Sequence, residues 1–128
     1  MATDISYASA TELRGLIDKK EVSVVEVVEH FYSRIEDLNP QLNAYLALCP
    51  GEALAAAEEA QYAVQRGDPL GPLHGIPVSI KDLEMTKGIP TTLGSTVFNN
   101  RTPDLDSVVV ERVRQAGAII LGKTNTPE

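Results

Sequence analysis

Lys81 is the first candidate for a catalytic residue in this chain, because of its residue type and its position. It ends a short apolar segment, residues 76–81, that follows a loop rich in proline and glycine. Alternate side chains of a strand share a face, so Ser79 and Lys81 point to the same side. Burial disfavours the charged form of a lysine. Lys81 is therefore either a solvated strand end or a base at the centre of an active site.

A second lysine, Lys123, lies in residues 117–124, which match the phosphate-loop pattern G-x-x-x-x-G-K-[ST]. A phosphate loop needs a strand before it and a helix that opens at the lysine. Here a helix is predicted before Gly117, and the four middle residues are the apolar residues of a buried strand. We interpret Gly117 as the end of a helix and Lys123 as the polar exit of a strand, so nucleotide binding is not favoured.

Three other side chains have chemistry of their own, but none has partners at the spacing of metal ligands. His74 lies on the approach to residues 76–81 and could line a pocket. His30 lies beside the apolar stripe of a predicted helix, as a solvated or core-edge residue. Cys49 is the single cysteine and cannot form an internal disulfide, so a buried structural thiol is favoured. We expect no metal and no cofactor.

The elements that must position these residues alternate along the chain. Helices are predicted at residues 9–20, 23–38, 52–66 and 107–116, and strands at 43–48, 76–81 and 118–122. Capping boxes open the first two helices, and the apolar stripe of the second stops at Asn39-Pro40. Asp104 to Asp106 offer caps for the fourth. The alternation predicts an α/β layer, and residues 1–128 form a single region without a linker.

The composition excludes several classes of protein. The 128 residues carry 18 acidic and 11 basic side chains, a formal charge of -7, which does not favour binding to nucleic acid or anionic lipid. No apolar run approaches the roughly 18 residues of a membrane helix. The first ten residues lack the basic segment of a secretory signal, so we expect a cytoplasmic protein. Thr126-Pro127-Glu128 has the pattern of a helix start, which suggests the amino-terminal part of something longer.

Four stretches together resemble the amidase signature family in order and spacing. They are GPLHGIPVSIKD at residues 71–82, GIPTTLGS at 88–95, DSVVVERV at 106–113 and AGAIILGKTN at 116–125. The chain is similar to general amidases and, more distantly, to the glutaminase-like subunit of tRNA-dependent amidotransferases. The resemblance implies an α/β fold, namely the amino-terminal portion of the mixed-sheet amidase-signature fold, with helices flanking the sheet.

The resemblance also implies a chemistry. Members of that family hydrolyse carboxylic amides with a serine nucleophile, a second serine held in a cis peptide, and a lysine. By its position in the motif Lys81 corresponds to that lysine, as general base. A free lysine, with a pKa of about 10.4, is neutral at pH 7 in only about one molecule in 2,500, so the site must disfavour its charge.

The nucleophile and the bridging serine have no counterpart in this chain. In the family they lie on a Gly/Ser-rich loop downstream of the Lys-Thr-Asn segment, whereas the seven serines here are all isolated. We therefore expect the chain to carry only the lysine segment and to be inactive alone. The alternative is a non-catalytic interaction or assembly module that keeps the amidase scaffold.

The expected partners follow from the same reasoning. A small-molecule amide is the substrate class that the resemblance implies, with no direct nucleic acid and no membrane. The family's sheet takes most of its strands from later sequence, so strands 76–81 and 118–122 should present unpaired edges. We expect a homo-oligomer or association with the missing remainder.

Overall fold

The computed structural model describes residues 4–127. Within this range a small mixed sheet of three strands is combined with four α-helices and one short 3-10 helix. The helices are α1 (Ala10–Asp18), α2 (Val24–Leu42), α3 (Pro50–Arg66) and α4 (Val108–Gln115), the 3-10 helix is Thr96–Phe98, and the strands are β1 (Tyr45–Leu48), β2 (Pro77–Lys81) and β3 (Ile119–Thr124). The fold is mixed α/β, as predicted.

The first two helices begin where their capping boxes predict. The Ser9 hydroxyl accepts the Glu12 N–H at 3.2 Å, and the Glu12 carboxylate accepts the Ser9 N–H at 2.8 Å. Ser23 and Glu26 make the same reciprocal pair, at 3.0 and 2.8 Å. Each box satisfies two backbone donors that a helix start leaves free. Both starts are therefore fixed by local sequence.

The end of α2 differs from the prediction. The helix does not stop at Asn39-Pro40 but continues to Leu42, where Asn43 takes a left-handed conformation (φ 48°) and donates its N–H to the Asn39 carbonyl. Pro40 lies in the last turn, where its missing N–H removes a single intrahelical bond. The predicted boundary at residue 38 was therefore too early.

The start of α4 also differs. Ser107 precedes the helix, without a side-chain capping bond. Asp106, one of the predicted caps, instead accepts the Lys87 N–H at 2.7 Å and pairs with Arg114 at 3.0 Å. Its carboxylate therefore ties the preceding loop to the helix.

The strand order is β1-β3-β2, with β1 antiparallel and β2 parallel to β3. The predicted strand 118–122 is therefore central and paired on both sides, so the prediction that it presents an unpaired edge was wrong. Segment 76–81 does lie at an edge, since among the described residues β2 pairs with β3 alone. The side chains of β3 pack against helices on both faces of the sheet, which accounts for its continuous apolar run.

Helices pack against part of each face of the sheet. On one, called face 1, Ile119 and Leu121 pack with the buried residues of α1, α2 and α3. On the other, called face 2, Ile80 and Ile120 pack with Val110 of α4. The two sides of the sheet therefore bury separate apolar clusters.

A register shift changes which side chains share a face. Val78 lies opposite Ile120, but Ser79 lies opposite Gly122, so Leu121 is an extra residue on β3. Such a bulge moves every later side chain of the strand to the other face. Lys123 consequently lies opposite Ile80, on face 2.

Thr126 and Pro127 have no regular structure, and Glu128 lies outside the described residues, so the predicted helix start at 126–128 falls partly beyond them. In the part of the chain that the structure covers, no helix has the length and apolar character needed to cross a membrane.

Candidate active site

Lys81 is the last residue of β2 and lies on the exposed side of this edge strand. Ser79 and Lys81 are both exposed, whereas Ile80 between them is buried, which confirms the predicted alternation. The Lys81 ammonium has no hydrogen bond or ion pair with any other described residue. It is therefore free to meet a group that comes from outside this part of the structure.

Tyr45 joins the row that contains Lys81. Lys81 and Tyr45 both lie opposite Thr124, on its two sides, so the three residues form one line across the sheet on face 1. Burial raises the pKa of the Tyr45 phenol, and the neighbouring Ser79 hydroxyl opposes that shift. Sequence reasoning missed Tyr45, because nothing local to it indicates that β1 lies beside β3.

Asp82 follows Lys81 and turns into the protein interior, with 1% of its surface exposed. Its carboxylate accepts the Thr92 N–H at 2.9 Å, the Gly94 N–H at 3.2 Å, and the Thr92 hydroxyl. Its own N–H donates to the Thr124 carbonyl at 2.9 Å. A buried carboxylate needs several donors to offset its lost hydration, and residues 10 and 12 positions further along the chain supply them.

Lys123 is fully buried, with 0% of its surface exposed. Its ammonium donates to the Glu84 carbonyl at 2.6 Å and to the Thr91 hydroxyl at 2.8 Å. Burial lowers the pKa of Lys123 from its ordinary 10.5, and the charges of Asp82 and Glu84 oppose this shift. The interpretation of Lys123 as a polar strand exit was wrong, since β3 continues to Thr124 and the bulge turns Lys123 inward.

The remaining candidates lie apart from this row. The His74 Nε2 atom is 2.9 Å from the Ala60 carbonyl oxygen, and the His30 Nε2 atom is 2.9 Å from the Ser6 hydroxyl. Cys49 is a buried free thiol, as predicted, and its Sγ donates to the Ile120 carbonyl at 3.2 Å. Burial raises the pKa of this thiol. Between residues 4 and 127 no group of three or more His, Cys, Asp or Glu side chains could hold a metal ion.

Comparison with known proteins assigns a family to this arrangement. The family model described as Amidase matches residues 26–128. The chain is 43% identical over 126 residues to a subunit of the glutamyl-tRNA(Gln) amidotransferase of Salinispora tropica, an alignment that covers 98% of this chain and 26% of the relative. It is 44% identical over 119 residues to a putative amidase, AmiD, of Mycobacterium bovis, covering 93% of this chain and 25% of the relative.

A solved structure of the same family has a similar fold. A bacterial aryl acylamidase of the amidase signature family superposes with a TM-score of 0.90 at 29% identity, over 98% of this chain and 26% of that one. The fold is that of the amidase signature enzymes, and the chain belongs to the Amidase family. It spans about a quarter of the length of the relatives it matches. The chain is about equally similar to the amidase and to the amidotransferase subunit.

Proposed function

We propose that this chain supplies the general-base lysine, Lys81, of an amidase-type hydrolase that cleaves carboxylic amides by a Ser-cisSer-Lys mechanism. The observation that carries the proposal is the place of Lys81. It ends β2 with an exposed ammonium that has no partner among the described residues, within the matched residues 26–128. The chain is of the amidase type because it belongs to the Amidase family.

In the proposed reaction the neutral Lys81 amine accepts a proton from the bridging serine, which takes one from the nucleophilic serine. The nucleophile forms a bond to the amide carbonyl carbon, and backbone N–H groups stabilise the oxyanion. The C–N bond then breaks, and the amine leaves with the proton returned by the same relay. Water releases the acyl group by the same steps, and the serine is regenerated.

The exposure of Lys81 limits what this chain does by itself. A lysine becomes a useful base at neutral pH when burial or a like charge disfavours its ammonium form. Among the described residues the Lys81 side chain is exposed and has no partner, and the seven serines of the sequence are isolated. In the proposed mechanism the desolvation and both serines come from sequence outside this chain, and we expect the 128 residues alone not to hydrolyse amides.

Two assays test the proposal. Purified chain should show no turnover of a chromogenic aryl acylamide above a buffer blank. A chimera, in which this chain replaces the matching quarter of the aryl acylamidase, should restore hydrolysis. Lys81→Met in the chimera should then lower kcat/KM by about 100- to 10,000-fold, the range of a general base.

Lys19→Met is the matched control, since Lys19 is exposed at the end of α1. It should leave the rate of the chimera unchanged. A folded chimera that hydrolyses no amide while its parent does, or one that keeps its rate with Lys81→Met, contradicts the proposal. Lys81-dependent turnover by the 128-residue chain alone contradicts the predicted inactivity.

A further inference from the structure

We infer that Lys123 and Asp82 are positioning residues for Lys81, two buried opposite charges that hold loop 82–94 and so fix the end of β2. The inference rests on the proposed function of Lys81 and extends it to residues that carry no reacting atoms. Both side chains are buried, and both hydrogen-bond to residues of this loop.

Lys123 reaches the loop from the neighbouring strand. Its two hydrogen bonds, to the Glu84 carbonyl and the Thr91 hydroxyl, join positions seven residues apart in the loop. Thr86 also donates its hydroxyl to the Glu84 carbonyl, at 3.0 Å. An ammonium removed from water must keep such acceptors, because an unsatisfied buried charge is strongly unfavourable. Lys123 therefore fixes the distance between Glu84 and Thr91 across the loop.

Asp82 also holds residues 92–94 of the loop, through its carboxylate and its backbone carbonyl. Besides the bonds to its carboxylate, the Asp82 carbonyl accepts the Leu93 N–H at 3.2 Å. Leu93 and Gly94 both have left-handed backbones, with φ values of 55° and 71°. That conformation is unfavourable for leucine and persists only where surrounding bonds impose it. The donors around Asp82 therefore hold the loop in one defined shape.

These contacts flank Lys81 directly. The Lys81 carbonyl accepts the Glu84 N–H at 2.9 Å, and the next N–H, that of Asp82, donates to Thr124. Lys123 lies opposite Ile80, and Thr124 lies opposite Lys81. The two lysines are thus neighbours on adjacent strands with their side chains on opposite faces. Fixing the loop on face 2 sets the backbone from which Lys81 points on face 1.

A purely stabilising role explains the arrangement less well. Substituting a buried ion by an apolar residue of similar volume often causes no loss of stability. Methionine would fill much of the same space, but it could not bridge the Glu84 carbonyl and the Thr91 hydroxyl. The hydrogen bonds, rather than the buried volume, are what Lys123 adds.

The first test measures the loop in the chain itself, by amide hydrogen exchange. Lys123→Met and Thr91→Val should each raise the exchange rates of the Asp82, Thr92 and Gly94 amides by at least about tenfold, since each removes a bond that closes the loop. Thr91→Ser keeps the hydroxyl and should restore slow exchange. If Lys123→Met does not fold, the exchange rates of Thr91→Val and Thr91→Ser still test the inference. Unchanged exchange in Thr91→Val overturns the inference.

The second test measures catalysis in the aryl acylamidase chimera. Thr91→Val and Lys123→Met should lower kcat by about 10- to 100-fold, as displacement of a catalytic group does, and should leave KM within about threefold. Thr91→Ser should restore kcat. An unchanged kcat in a chimera whose rate depends on Lys81 overturns this inference alone. A rate that survives Lys81→Met overturns the proposed function instead.

Discussion

At the residue scale, two lysines on neighbouring strands have opposite environments. Lys81 is exposed and unpartnered within the described residues, whereas Lys123 is buried and holds two oxygen acceptors. The difference arises from the side of the sheet to which each points, since the two positions are adjacent in the register. Side-chain direction, more than residue type, thus separates a candidate base from a positioning cation.

Replacing Asp82 by alanine should destabilise the chain by about 3 kcal/mol, the scale of removing one member of a buried charged network. The change leaves the Thr92 and Gly94 N–H groups without their acceptor and removes the negative charge that offsets Lys123. Urea unfolding measures it. Asp104→Ala, at an exposed position, is the control and should change stability by less than about 0.5 kcal/mol. Equal effects of the two substitutions would contradict the role assigned to Asp82.

The buried Lys123 should make stability depend on alkaline pH. Its folded pKa is lowered below 10.5, the ordinary value that it regains on unfolding. Between those two values the unfolded chain binds more protons, so stability rises with pH in that window. The unfavourable contribution of the buried charge is full below the folded pKa and is lost as the pH approaches 10.5.

Urea unfolding of the chain and of Lys123→Met, from neutral pH to about 10.5, gives the free energy of unfolding of each protein. The difference between the two free energies cancels the titration of the groups that both proteins share. The stability of the chain relative to Lys123→Met should increase across this range. The same difference taken with Lys19→Met should stay flat. A decreasing difference for Lys123→Met would contradict the lowered pKa.

At the element scale, the irregular pairing around Gly122 decides how the sheet is built. The register shifts between Val78 and Ser79 on one side of β3, and between Tyr45 and Ala47 on the other. A Cβ atom on Gly122 would overlap the Ala47 carbonyl oxygen. Glycine therefore allows the β1 backbone to approach β3 closely at the point where the alternation changes.

Gly122→Ala should destabilise the chain by about 1–3 kcal/mol, the usual cost of overpacking, because the β1 backbone has to move. Gly15→Ala is the matched control, since nothing lies within 4 Å of a Cβ built there. It should stabilise α1 by up to about 1 kcal/mol, since alanine is the better helix former. Thermal or urea unfolding of the two variants checks both signs. A neutral Gly122→Ala would show that β1 is not held at this position.

At the scale of the whole molecule, the surface around β1 remains apolar. Leu42, Leu46 and Leu48 are 65%, 46% and 41% exposed. A groove of about 160 Å³ lies beside them between α2 and β1, and it is lined chiefly by apolar side chains, including Phe31, Ile35, Leu38, Tyr45 and Leu121. Exposed apolar area beside the free edge of a strand favours association with another chain.

The 128-residue chain should therefore self-associate. Sedimentation equilibrium should give an apparent mass that rises with protein concentration. Leu46→Lys should reduce this association, because a lysine on an edge strand opposes pairing with a second edge. Val97→Lys, at another exposed apolar position, is the control and should not. A monomer at every concentration would contradict the expectation.

The sequence by itself determined the local features. The capping boxes at Ser9 and Ser23 fix two helix starts, and the alternation around Ile80 places Ser79 and Lys81 on the exposed side of β2. The four motifs indicated the amidase signature family, which the family match confirms. The capping boxes and the alternation each lie within a few consecutive residues, so backbone geometry and hydrophobic periodicity suffice to predict them, whereas the family was indicated only by the resemblance of the four motifs. The role of Lys81 as general base stays a prediction.

Only the tertiary structure decided the strand order, the inward turn of Lys123 and the row of Lys81, Thr124 and Tyr45. The bulge at Leu121 reverses the alternation of β3, and no local pattern in an apolar run predicts it. The continuation of α2 past Pro40 accompanies the left-handed turn at Asn43 and the hydrogen bonds between the Asn39 side chain and the Tyr45 backbone. The strand order, the turn of Lys123 and the row depend on contacts between residues far apart in the chain, and pairing across the sheet, rather than local preference, sets their energies.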